Sequence, residues 1–290
     1  GGEESELYRY ITPPPPFTYQ STETSSSRVA IVSDNQYGSQ VMRHIAYDIQ
    51  TFHPDLLLMA GDIVNRGYLL EEWGMYFWYP LEVSQLAQQT PVAITRGNHD
   101  GQSSFAFAYT AGIKNNDWFA FTHGSARFVV LDSNADSEMV PEQKAWMKKE
   151  FQSKEFDEAL FRIVMFHLPP FTELWSPKEG YKGEEFVRMD WVPLFELYAV
   201  DVVISGHTHA YSRGYYHGVL YTIVGGAGGM VDDERVFDWN MFDVTISQHH
   251  FVIMEFEKCN LIWKVYNEQK QLIDSITLTS LTIPPHLQCE

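Results

Sequence analysis

Between residues 29 and 207 the chain repeats one pattern: a short, unbroken apolar run rich in β-branched residues ends at or just before an Asp, Asn or His. Val29-Ala30-Ile31-Val32 leads to Asp34, Leu56-Leu57-Leu58-Met59 to Asp62, and Val92-Ala93-Ile94 to Asn98. Ile163-Val164-Met165-Phe166 then leads to His167, and Val202-Val203-Ile204 to His207. Short runs without polar alternation predict strands buried on both faces. Between them, Val41, Ile45 and Ile49 fall on one helical face, and Pro141 is expected at the first position of a helix carrying Trp146 and Phe151. The aromatic run Trp73, Tyr76, Phe77, Trp78 and Tyr79 reads as a helix face turned into the core, with a groove for an apolar leaving group as its functional alternative.

After residue 215 the texture becomes β-like, at Leu220 to Val224, His250 to Phe256 and Leu261 to Tyr266, and predicts a second, partly antiparallel sheet. The fold class is therefore α/β, with two packed mixed sheets flanked by helices. Residues 1–27 hold Pro13 to Pro16 and a Ser/Thr-rich run, which predicts an extended segment ahead of a single domain over 28–290.

In open α/β sheets ligands gather at the carboxyl ends of strands, so five polar stops in such places are expected to meet at one site. Composition limits what that site serves. Twenty basic against 38 acidic residues give a formal charge of −18, which repels nucleic-acid backbones and anionic membranes. No stretch is long and apolar enough to span a membrane. Opening on Gly-Gly, the chain fits removal of a leader and a secreted or luminal home, although its compartment and oligomeric state are not written in the sequence. Cys259 and Cys289 leave open one disulfide or two free thiols.

The polar stops belong to five blocks: Asp34-Asn35-Gln36, Gly61-Asp62-Ile63-Val64-Asn65-Arg66-Gly67, Gly97-Asn98-His99-Asp100, His167, and Gly206-His207-Thr208-His209. In this order, over roughly residues 28–213, they resemble the signature of the calcineurin-like metallophosphoesterases. The resemblance implies a four-layer α/β/β/α sandwich and a site for two transition-metal ions, Mn, Fe or Zn. It assigns Asp62 between the ions, Asp34 and His209 to one, and Asn98, His167 and His207 to the other. It also implies hydrolysis of phosphate monoesters by in-line attack of a metal-bound hydroxide, on a small phosphorylated substrate or a phosphoprotein.

His99 holds the place of a histidine that contacts phosphate and protonates the leaving group. Asp100 beside it either orients that ring or caps the next helix, and Arg66 either contacts phosphate or forms a structural ion pair. Gln36 stands where most members carry a histidine, as amide-oxygen ligand or outer hydrogen bonder. Asp-x-Gln, His207-Thr208-His209-Ala210-Tyr211 and Gly225 to Gly229 resemble the purple acid phosphatase side of the superfamily. That branch places an iron-binding tyrosine three residues after the bridging aspartate, where this chain has Asn65. Two rival functions follow from the same resemblance: a phosphodiesterase or nucleotide pyrophosphatase, and a non-catalytic interaction scaffold. The segment from Phe171 to Asp190 is the expected substrate-facing insert, and His123, His217, His249 and His250 receive no role.

Overall fold

The structure, a computed structural model, describes residues 27–110, 118–134, 139–176 and 180–280. Its first sheet holds β1 (Ser27–Val32), β2 (Leu56–Met59), β3 (Val92–Ile94), β11 (His250–Glu257), β12 (Asn260–Asn267) and β13 (Leu272–Thr279), in the order β13-β12-β11-β1-β2-β3. The second holds β4 (Phe119–His123), β5 (Ala126–Val130), β6 (Phe161–Met165), β7 (Val202–Ser205), β8 (Tyr211–Tyr216), β9 (Val219–Val224) and β10 (Phe242–Ile246), in the order β10-β8-β9-β7-β6-β5-β4. Both sheets are mixed. β1, β2 and β3 run parallel, as do β5, β6, β7 and β9, while β11 joins β1 antiparallel with Val29 opposite Met254.

This pairing corrects one expectation. The segments after residue 215 do not make a separate sheet: β9 joins the second sheet beside β7, whereas β11, β12 and β13 extend the first sheet from β1. Strand alternation explains the layers. Val29 and Ile31, with Leu56 and Leu58, turn toward Phe128, Val130, Ile163, Met165 and Ile204 of the second sheet. Ala30, Val32, Leu57 and Met59 turn outward onto Met42, Ile45 and Ile49 of the helix Ser39–Gln50 and onto Trp73, Phe77 and Leu81. Val129, Val164 and Val203 likewise meet Met147, Phe156, Trp191 and Phe195 on the opposite face.

Each parallel strand is thus covered twice, which accounts for its lack of polar alternation. The aromatic run divides: Trp73 and Phe77 are buried, but Trp78 and Tyr79 remain 43% and 46% exposed. Pro141 lies two residues inside the helix Met139–Glu150 instead of at its first position. Cys259 is disulfide-bonded, whereas Cys289 and the expected N-terminal segment, apart from Ser27, lie outside the described residues.

Candidate metal centre

The loops that leave β1, β2 and β3 in one sheet and β6 and β7 in the other all open at the same end of the sandwich. Three of the polar stops reach their positions through left-handed backbone, with φ of 61° at Asp34, 50° at Asp62 and 70° at His207. Non-glycine residues pay for that conformation, and such strain concentrates at functional sites. Close packing of the loops adds a further demand. A Cβ on Gly97 would lie 2.1 Å from Asp62 Oδ1, and one on Gly206 would lie 2.5 Å from Asp34 Oδ2. Glycine is required at both places because the backbone itself presses on a carboxylate.

Among the described residues, Asp62, His167 and His207 each offer one ligand atom, all within 4.8 Å of one another. His167 Nε2 lies 3.2 Å from Asp62 Oδ2 and 3.1 Å from Asn98 Oδ1. The other ring nitrogen, Nδ1, donates to the Ala60 carbonyl at 2.8 Å, which leaves Nε2 as the atom turned into the cluster. On the far side of Asp62, His209 Nε2 stands 3.5 Å from Asp34 Oδ1, with its Nδ1 donating to the Met230 carbonyl at 2.7 Å. Asp232, buried, accepts the His209 N–H at 2.7 Å and fixes that loop. Both Asp34 oxygens accept the His207 N–H, at 3.0 and 2.9 Å.

Gln36 fills the space between the two groups. Its Nε2 lies 3.3 Å from Asp62 Oδ2 and 3.2 Å from His209 Nε2, while its buried Oε1 has no partner among the described residues. An amide N–H₂ set against the Asp62 carboxylate sits where a cation is favoured. Turning the amide over presents Oε1 to the same space. Carboxylate, imidazole and amide oxygen together form a donor set suited to transition metals, so the residues fit the ions that the sequence implies.

The electrostatics follow from crowding these groups out of water. Burial opposes charge on His167, but the adjoining Asp62 carboxylate outweighs it and the imidazole is pushed up to about 10. The same partnership holds Asp62 down at about 2 against its burial. His209 is raised to about 9, since the bond to Asp34 and its charge overcome burial. His207 falls to about 3, first through burial and then through the charge of His167.

His99 stands beside this cluster. Its backbone N–H donates to Asp62 Oδ1 at 2.8 Å, and its ring Nδ1 lies 3.1 Å from the Asn65 carbonyl and 3.0 Å from Asn65 Oδ1. With Nδ1 so engaged, Nε2 is the nitrogen left to act. The structure corrects the orienting role expected of Asp100. That carboxylate is wholly buried and accepts the backbone N–H groups of Ile63 at 2.9 Å, Val64 at 3.1 Å and Gly97 at 2.8 Å. Adjacent residues in a tight turn point apart, and Asp100 ties the Asp62 loop to the Asn98 loop instead of touching the ring. Burial, then the charge of Asp62, pushes it up to about 7.

Asp100→Ala would strand three buried donors, and at about 1–3 kcal/mol for each unmet group its expected loss is roughly 3 kcal/mol or more in a urea unfolding curve. Unchanged stability would return Asp100 to an orienting role. Arg66 is placed in an ion pair, its Nε 2.6 Å from Glu72 Oε1 and its side chain half exposed, rather than among the ligand atoms. Glu72 also accepts the Asn65 and Arg66 backbone N–H groups, at 3.0 and 2.7 Å. Asn65, notable in the sequence only as a missing tyrosine, thereby becomes the residue that holds His99.

The chain's similarities agree with this geometry. The calcineurin-like phosphoesterase family profile matches residues 27–211. Purple acid phosphatase 18 of Arabidopsis thaliana is 25% identical over 170 residues, 54% of this chain and 38% of its own length. A second Arabidopsis thaliana protein, "Probable inactive purple acid phosphatase 24", is 23% identical over 288 residues, 81% of this chain and 45% of its own length. The chain therefore spans less than half the length of these relatives. Purple acid phosphatase PPD1 from yellow lupin (Lupinus luteus) seeds shares the fold with a TM-score of 0.79 at 18% identity, covering 98% of this chain and 59% of the lupin chain. With a profile match across most of the sandwich and purple acid phosphatases among its relatives, the chain belongs to the calcineurin-like phosphoesterase family.

Proposed function

We propose that the chain hydrolyses phosphate monoesters at a centre for two transition-metal ions, with residues 28–290 acting as one catalytic domain. The observation that carries this reading is the convergence of Asp62, His167 and His207 within 4.8 Å, drawn from strand ends of both sheets. Asn98, His167 and His207 would hold one ion and Asp34, His209 and the Gln36 amide oxygen the other, with Asp62 shared between them. Bound divalent ions of this kind neutralise phosphate charge and make water acidic enough to ionise near neutral pH.

The chain's own groups supply the rest. Gly97 and Gly206 let the backbone close on the carboxylates, and Asp100 fixes the two loops that carry Asp62 and Asn98. His99, held through Nδ1 by Asn65, keeps Nε2 free to give a proton to the departing oxygen. A small phosphorylated molecule or an exposed phosphoresidue of a protein suits this reading. Arg66 would contribute to phosphate only by leaving Glu72. The disulfide-bonded Cys259 supports a secreted or luminal home, because disulfides persist in oxidising compartments. No helix among the described residues is long and apolar enough to cross a membrane.

A second reading, a non-catalytic interaction protein, is favoured by the relative named probable inactive. Metal titration tests the dinuclear centre that the first reading requires. His167 at about 10 and His209 at about 9 both carry protons at neutral pH without metal, whereas ligation needs them neutral. Loading should therefore release up to two protons per chain at pH 7, and affinity should rise with pH until those values are passed. Calorimetry with Mn²⁺ in buffers of differing ionisation heat measures both quantities. Two ions per chain with proton release supports the dinuclear reading, and one ion or none opposes it.

A further inference from the structure

The three histidines of the centre are not held alike. His167 and His209 each anchor Nδ1 on a backbone carbonyl, at Ala60 and Met230. Among the described residues, no hydrogen bond reaches either ring nitrogen of His207. Aromatic rings surround it instead. Trp175 lies at 4.8 Å between centroids, tilted 35°, and Tyr181 meets the ring edge-on at 5.2 Å and 82°. The two also pack on each other at 4.8 Å, and His167 closes the remaining side at 5.2 Å.

Trp175 and Tyr181 belong to the segment after His167, which is itself fastened down. The Trp175 N–H donates to the Glu234 carbonyl at 2.9 Å, and the Ser176 N–H to Asp232 Oδ1 at 2.7 Å. Buried Glu173 accepts from Trp239 N at 3.0 Å, from Thr245 Oγ1 at 2.8 Å and from Arg235 at 2.8 Å. Tyr181 brings a buried hydroxyl with no partner among the described residues, so its ring, not its polar end, accounts for its place.

We propose that Trp175 and Tyr181 are positioning residues that orient the His207 ring by packing, doing for this ligand what a carbonyl does for the other two. The proposal rests on His207 being a metal ligand. Its consequence is that the segment expected from the sequence to face substrate is part of the metal centre, because loosening it frees one ligand to rotate away. Metal-ligating histidines that lose their outer partner typically lose about 10–100-fold in metal affinity.

The full chain is titrated with Co²⁺ by calorimetry and by tryptophan fluorescence, using Trp175→Ala, Trp175→Phe and His207→Ala. Trp175→Phe should keep its affinity yet lose most of the metal-dependent quenching, since the indole nearest the ligand is gone. Trp175→Ala should bind at one site about tenfold more weakly or worse. A merely structural role would lower the thermal midpoint and leave the affinity of the folded chain unchanged. Wild-type affinity in Trp175→Ala, with binding weakened in His207→Ala, overturns the clamp alone. Wild-type affinity in His207→Ala overturns the ligand reading as well. Should Trp175→Ala fail to fold, Tyr181→Ala is titrated in its place: weakened binding by the folded chain supports the clamp, and wild-type affinity overturns it.

Discussion

Asp62→Asn is expected to abolish measurable phosphoester hydrolysis, lowering kcat by on the order of 10³-fold or more, because several kcal/mol of charge stabilisation depend on the ions it would hold. The carboxylate lies 3.2 Å from His167 Nε2 and 3.3 Å from Gln36 Nε2, and it accepts the His99 N–H. Asparagine keeps the shape and one acceptor, but it removes the charge and can turn an N–H₂ toward the other ligands. The loss of stability should be small by comparison. His167 is raised chiefly by Asp62, with smaller contributions from Asp34 and the Ala60 carbonyl, so without Asp62 burial favours the loss of its proton and a neutral ring. Steady-state rates and a thermal midpoint measured on the same sample test both halves, and activity retained at wild-type level would remove Asp62 from the chemistry.

The second large effect concerns His99. With Nδ1 held at 3.0–3.1 Å by the Asn65 side chain and carbonyl, Nε2 is the position from which a proton can reach the leaving oxygen. His99→Ala should lower kcat for an alkyl phosphate by about 10²–10⁴-fold, the usual span for a general acid. The loss should be much smaller for p-nitrophenyl phosphate, whose phenolate departs without a proton. Equal losses on the two substrates would mean that His99 binds phosphate or supports the loop and does not donate a proton.

What was legible in the sequence follows from burial. Strands such as β2 and β7 are covered on both faces, so Leu56 to Met59 and Val202 to Ile204 form unbroken apolar runs, and the polar residue beyond each marks the end where the site lies. The edge strand β13 was not legible, because Leu272 to Thr279 is half exposed and its alternation is interrupted by Asp274 and Ser275. β8 was hidden for another reason. Its Tyr211 and Arg213 are buried polar-ended side chains whose partner, Asp274, stands 2.7 Å away but some sixty residues later.

Pairing β1 with β11 likewise joins residues more than 200 positions apart, and neither run carries a mark of it. Within the site, the residues that converge could be read from residue type and order. The supports could not: Asp100 is adjacent to His99 in the chain but turned to other backbones, while Asn65 and Trp175 act through loops folded back from elsewhere.

The central claim is tested most directly by comparing hydrolysis of p-nitrophenyl phosphate with that of bis-p-nitrophenyl phosphate, using the chain loaded with Mn, Zn or Fe and Asp62→Asn as control. The account predicts metal-dependent turnover that favours the monoester and disappears in Asp62→Asn. No turnover of either ester by a chain holding two ions, or equal turnover with and without Asp62, would contradict it.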